Sequence, residues 1–174
     1  MATSETQPLV SSAFDRTQLP NGLRILTSTF RHTNAVSIIF LFGAGSRYET
    51  PELAGASHLF EHMLFKGTPS RPTPKEISEV VEGVGGTLNA FTDREVTGYW
   101  CRVAQPNYRD SIELLSDMTL NSFFKDEDIA KEKQVVYEEI RASNDSPGAR
   151  VAMLLDDLMW PDQPLGRDIA GSVE

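Results

Sequence analysis

The chain has 174 residues, 40% hydrophobic and 24% charged, with a formal net charge of −9. That length supplies one domain with a sizeable core. The acidic balance argues against nucleic acid as a partner, because phosphate binding needs a basic surface.

A single cysteine, Cys101, rules out an internal disulfide and reads as a buried, inert thiol. No apolar run is long enough to span a membrane, so no membrane partner is expected. The opening MATSETQPLVSSAF has no basic region followed by an apolar one, so it is not a secretory signal. It has no arginine before Arg16, which makes it a poor organelle transit peptide. The expected location is therefore cytoplasmic. An organelle matrix reached by a presequence since removed would leave the same sequence.

Residues 1–13 read as a flexible tail and residues 14–174 as one domain. LPNGLRIL places a Pro-Asn-Gly turn before alternating apolar residues, a hairpin signal. Ala35 to Phe42, AVSIIFLF, reads as a buried central strand, broken by GAGS. A first helix is predicted from Thr50-Pro51-Glu52, with threonine as cap and proline at the first helical position, to about Lys66. A second begins at Thr73-Pro74-Lys75-Glu76, a capping box, and ends at Gly83 to Gly86. TLNAFT and VTGYWCRV read as two strands around a turn at Asp93-Arg94. A third helix runs from Pro106 to about Asn121, with Ile112, Leu115 and Met118 on one side. A fourth runs from about Glu127 to Ala142, and a fifth from Ser146-Pro147 to about Met159. Strands and helices do not alternate strictly. This favours an α+β fold, with helices packed on one face of a mainly antiparallel or mixed sheet.

Within the first helix, SHLFEHMLF is apolar nearly all round yet carries His58, Glu61 and His62. Such a helix belongs inside a protein, where an unpaired carboxylate costs several kcal/mol. On a helix these three side chains share an arc of about 100°. Two imidazoles one turn apart can grip a single metal ion, and the glutamate beside them reaches its open position. A water there has its pKa lowered to about 7. His-x-x-Glu-His is the inverted zincin order. The competing interpretation is a pair of core histidines bonded to backbone. His32, in the polar stretch FRHTN, reads as a surface residue.

Two histidines do not complete a catalytic zinc site, for which three protein ligands are usual. With no histidine to spare, a carboxylate is the best candidate. The fourth helix places Glu132 and Glu139 within its core-facing stripe of Ile129, Val135, Val136 and Ile140, and Glu138 opposite. A solvated face suits Asp126, Glu127 and Glu138 better than it suits those two. Periodicity leaves open which of Glu132 and Glu139 touches metal.

HLFEHMLFKGT, GGTLNAFTDREVTGYW, EKQVVYEEI and PLGRDIAG, in that order, resemble the pitrilysin-type (inverted zincin) metallopeptidases. That group includes insulin-degrading enzyme and the catalytic subunit of mitochondrial processing peptidase. The resemblance implies one Zn2+ per chain, held by His58, His62 and Glu139, with Glu61 as general base. It implies that Glu132 is a supporting catalytic glutamate that orients the site without binding metal. It also implies that Asn89, Ala90 and Phe91 line an edge strand to which substrate adds as a further β-strand. On the residues alone, NAFT is simply a strand before a tight turn.

The reaction so implied is endopeptidase hydrolysis of extended peptides, through a zinc-bound water deprotonated by Glu61. Family members are much longer, with two similar halves around a chamber. The chain therefore reads as an N-terminal fragment, truncated at the C-terminal end of its zinc-binding domain and inactive alone. Its partners would be an extended peptide, the missing C-terminal half, or a second copy in a homo-oligomer. A non-catalytic structural or partner subunit of the same family is the alternative, disfavoured because every ligand and the base are present. A metal-storage module would close its site with further ligands, preferably cysteines, and none are to spare.

Overall fold

The structure is a computed structural model that describes residues 14–173. The predicted tail at residues 1–13 lies outside the described residues. The chain divides after Asn34 into two compact units.

The first unit contains a hairpin, β1 (Asp15–Gln18) and β2 (Arg24–Thr27), antiparallel with Asp15 opposite Thr27. Gly22 takes a φ of +91° in its turn, a conformation open to glycine at no steric cost. His32 is exposed, with its ring edge-on to Phe30.

The second unit is built on a three-stranded antiparallel sheet in the order β3 (Ala35–Phe42), β5 (Thr97–Ala104), β4 (Thr87–Thr92). The predicted central strand is thus an edge. AVSIIFLF is apolar on both faces, but among the described residues no strand other than β5 pairs with β3. Ile39, Leu41 and Phe42 remain largely exposed. The central position falls to β5, whose Tyr99, Cys101 and Val103 are buried.

Register explains which face is the core. Cys101 lies between Ile38 and Leu88, and Tyr99 between Phe40 and Ala90. These alternate residues point to one side, as the pleat requires. Ile77 and Val81 of α2 (Pro74–Glu82) pack on that side, with Leu114, Leu115 and Met118 of α3 (Tyr108–Asn121). The other side carries Ile39, Leu41 and Phe91. The result is α+β, with helices on one face of an antiparallel sheet.

Local chemistry sets the helix boundaries. Thr73 and Glu76 form the full capping box at the start of α2. Thr50-Pro51 opens only a 3-10 turn, Pro51–Leu53. The helix that carries SHLFEHM, α1 (Ala56–Met63), begins later, because Gly55 takes a φ of +91° and breaks the run. Pro106 likewise opens a 3-10 turn ahead of α3. In α3 the buried stripe holds Leu115 and Met118, but Ile112 is exposed and Leu114 replaces it. α4 (Asp126–Asp145) and α5 (Pro147–Met159) follow. Among the described residues, no helix is long and apolar enough to cross a membrane.

Candidate active site

The site forms where α1 lies against both α4 and β4. The start of α1 is held from outside the helix. The Glu49 carboxylate accepts backbone N–H bonds from Gly55 (2.8 Å) and Ser57 (2.6 Å). It satisfies two donors that a helix start leaves unpaired, and its charge complements the helix dipole. Arg167 donates to the Glu49 carbonyl at 2.6 Å. A Cβ on Gly55 would stand 2.4 Å from the Ala170 carbonyl oxygen, so only glycine allows this approach. The PLGRDIAG segment therefore braces the start of α1.

His58 and His62 stack edge to face, with ring centroids 4.7 Å apart. Nε2 of each faces one oxygen of Glu139, at 3.8 Å from His58 and 3.6 Å from His62. Among the described residues, ligand atoms of His58, His62 and Glu139 lie within 4.8 Å of one another. The two carboxylate–imidazole distances are too long for hydrogen bonds. Ligands 2.0–2.2 Å from a shared tetrahedral ion stand about 3.4 Å apart, close to what is seen.

The nitrogen of His62 that faces away from this cluster completes the fit. Nδ1 lies 3.1 Å from Oε2 of Glu132. A proton on Nδ1, donated to that carboxylate, leaves the Nε2 lone pair free for a cation. Nδ1 of His58 is buried and has no protein partner. The residues present thus fit a zinc ion, with two imidazoles and one carboxylate as donors.

Glu132 and Glu139 differ sharply in their surroundings. Glu132 is buried, at 8% exposure, alongside Val136 and Ile140. Its other oxygen, Oε1, is 2.5 Å from Lys66 Nζ. Burial alone would push its carboxyl pKa up. The hydrogen bonds and charges of Lys66 and His62 outweigh that, and the net shift is downward. The Glu139 side chain is 47% exposed. The expectation that Glu139 lies within the buried stripe is corrected: it sits at the stripe's rim, with its carboxylate turned to the histidines. Val135, predicted in the same stripe, is also exposed. Glu138 points away and pairs with Arg141 at 2.5 Å.

Glu61 lies on the β4 side of α1. Its Oε2 accepts from the Thr92 hydroxyl at 2.5 Å. Buried Tyr99 lies nearby, its pKa raised by desolvation first and by the charge of Glu61 second. Along β4 exposure alternates: Asn89 and Phe91 are exposed, while Leu88, Ala90 and Thr92 turn inward. The Asn89 side-chain oxygen accepts from the Ala90 N–H at 2.8 Å. Phe91 lies over Gly98, where a Cβ would meet its ring at 2.6 Å. The outer side of β4 is unpaired among the described residues.

Of the residues the sequence singles out, His58, His62 and Glu139 converge, Glu132 lies behind His62, and Glu61 stands outside the converging group, bonded to Thr92. Sequence reasoning missed Lys66 and Thr92. Lys66 is one turn beyond His62, a spacing that could have flagged it. Thr92 is distant from Glu61 in sequence, and only the inward face of β4 hinted at it. Cys101 is free and buried, and burial raises its thiol pKa against a weaker opposing hydrogen bond from Ser111.

Comparison with known proteins agrees with this geometry. The model of the insulinase family, peptidase family M16, matches residues 12–173. A Rickettsia bellii protein named as an uncharacterized zinc protease is 41% identical over 159 residues. The match covers 91% of this chain and 38% of that protein. The Bacillus subtilis zinc protease YmxG, also named uncharacterized, is 40% identical over 154 residues, covering 88% of this chain and 37% of the relative. A crystal structure of a protease from Helicobacter pylori superposes with a TM-score of 0.85 at 27% identity, covering 91% of this chain and 38% of that one. The chain thus spans well under half the length of these relatives. On the family match and these identities, the chain belongs to the M16 (insulinase) family of zinc peptidases.

Proposed function

We propose that the chain is the zinc-binding catalytic portion of an endopeptidase acting on extended peptides. His58, His62 and Glu139 hold one zinc ion per chain, and Glu61 is the general base. The observation that carries this reading is the convergence of two imidazole Nε2 atoms on one Glu139 oxygen, at 3.8 and 3.6 Å. When bound, zinc would polarise the scissile carbonyl and acidify a water.

The chain's own residues do the rest. Glu132, paired with Lys66, accepts a hydrogen bond from Nδ1–H of His62 and fixes that ring's tautomer. Glu61 takes a proton from the attacking water and returns it to the leaving amine. Asn89, Ala90 and Phe91 present the open side of β4 to the substrate backbone. Main-chain pairing there tolerates many sequences, because side chains take no part in the ladder. Turnover and partners are proposed for a longer protein that includes these residues, since the chain spans 38% of the Rickettsia relative.

Zinc content tests the ligand set. Glu139→Gln removes a charged donor and should lower bound zinc sharply after gel filtration. Glu138→Gln, whose parent residue pairs with Arg141 instead, should keep it. Full zinc in both variants would remove Glu139 from the site.

A further inference from the structure

Glu61 has two possible uses at this site, base and ligand. It shares the α1 arc with His58 and His62, and a carboxylate so close to two imidazoles is itself a good zinc ligand. Yet the group of converging donor atoms contains His58, His62 and Glu139 and leaves Glu61 out. An extra carboxylate on the metal would take the position needed for water and remove the base at once.

The structure supplies a restraint. The Thr92 hydroxyl donates to Oε2 of Glu61 at 2.5 Å, at the short end of the range for a hydroxyl hydrogen bond. Thr92 is the last residue of β4 and opposes Thr97 in the ladder. The alternation of β4 turns it inward, toward α1, on the same side as Leu88 and Ala90. Being β-branched, it has few rotamers and keeps its hydroxyl in place. Glu61 is thus bonded through one oxygen to the strand proposed to receive the peptide, and its other oxygen stays free.

We propose that Thr92 is a positioning residue. Its hydroxyl tethers the Glu61 carboxylate to β4 and so keeps Glu61 a base and not a fourth protein ligand. The proposal rests on the zinc reading given above. It also makes the base move with the edge strand, so that peptide added there and the group acting on it share one frame.

Zinc affinity of the 174-residue chain, measured by competition with a chromophoric chelator, tests this without requiring turnover. Thr92→Val keeps the shape and β-propensity of the side chain and deletes the hydroxyl. Glu61 is then free to swing onto the metal, and zinc should bind about tenfold tighter, the scale of one added ligand. Thr92→Ser restores a hydroxyl and should return the affinity to that of the unaltered chain. The gain must vanish in Thr92→Val/Glu61→Gln, whereas Glu61→Gln alone should leave affinity within about twofold. Thr92→Ala, which deletes the hydroxyl with less bulk, should reproduce the valine result and guards against a packing artefact. An affinity unchanged or weakened in both Thr92→Val and Thr92→Ala overturns the tether, as does a gain that survives the loss of Glu61. Failure of the underlying zinc reading looks different: the unaltered chain then binds no zinc, or Glu139→Gln changes nothing.

Discussion

Glu132 is buried between Lys66 and His62, whereas Glu139, two turns further along α4, is about half exposed and faces both histidines. Glu61, on the opposite helix, is held by a hydroxyl. The three carboxylates thus have different neighbours: a cation and one imidazole, two imidazoles, and an alcohol. The helix periodicity of EKQVVYEEI put Glu132 and Glu139 together but could not separate them, because their partners come from α1. For Glu61 the expected outcome of Glu61→Gln is retained zinc in this chain, since three other donors remain. In the longer protein, turnover should fall about 10²–10⁴-fold, the usual worth of general-base assistance. Loss of zinc from the variant would make Glu61 a ligand and force the roles of Glu61 and Glu139 to be exchanged.

At the scale of elements, signals carried within a few residues were readable. The capping box of α2, the Pro-Asn-Gly turn of the hairpin and the strands around Asp93-Arg94 all formed where the sequence placed them. Long-range pairing was not readable. AVSIIFLF has the composition of a central strand and lies at an edge, because order in a sheet depends on which other strands arrive. The link between α3 and the loop after α1 was equally hidden. Buried Asp117 accepts from Thr68 and Arg71, both at 2.6 Å, and from Asn121 at 3.0 Å. Burial raises its carboxyl pKa, but these bonds and the Arg71 charge outweigh that, and the net shift is downward. A depressed folded pKa gives stability that is present above the unfolded value of about 3.9 and lost as pH falls through the folded one. Asp117→Ala should therefore cost about 3–5 kcal/mol in urea unfolding at pH 7, the scale of breaking a buried charge network. The gap between variant and parent should narrow below about pH 4. A gap that is constant from pH 7 to pH 3 would show that the carboxylate charge contributes nothing.

For the whole molecule, the site is open on the side where substrate would lie. Asn89 and Phe91 are exposed, and so is much of Glu139. A clamp for the peptide and donors to a developing oxyanion are proposed to come from the longer protein. Oriented donors of that kind are commonly worth about 10²–10³ in rate. The 174 residues alone should thus give no measurable cleavage of an unstructured peptide, even with zinc restored. Chelator-sensitive turnover by the purified chain would show that it needs nothing more. Exposed apolar surface accompanies this: among the described residues no further strand lies beyond β3, and Val151, Leu154, Leu155 and Leu158 of α5 are exposed.

The brace at the start of α1 has a consequence for how such a sequence can drift. Gly55 and Gly171 both take left-handed φ values, +91° and +79°. A Cβ on Gly55 would strike the Ala170 carbonyl oxygen at 2.4 Å, and one on Gly171 the Ala54 carbonyl oxygen at 2.4 Å. Two positions at distant points of the chain therefore share a single clearance. A methyl at either pries apart the same two backbones, so that contact is broken only once, although each residue still bears the strain of its own left-handed φ. Their costs are non-additive. In genetic terms the two codons are linked: a change at one alters what the other costs, and the helix that carries His58 and His62 is inherited together with a segment far from it in sequence.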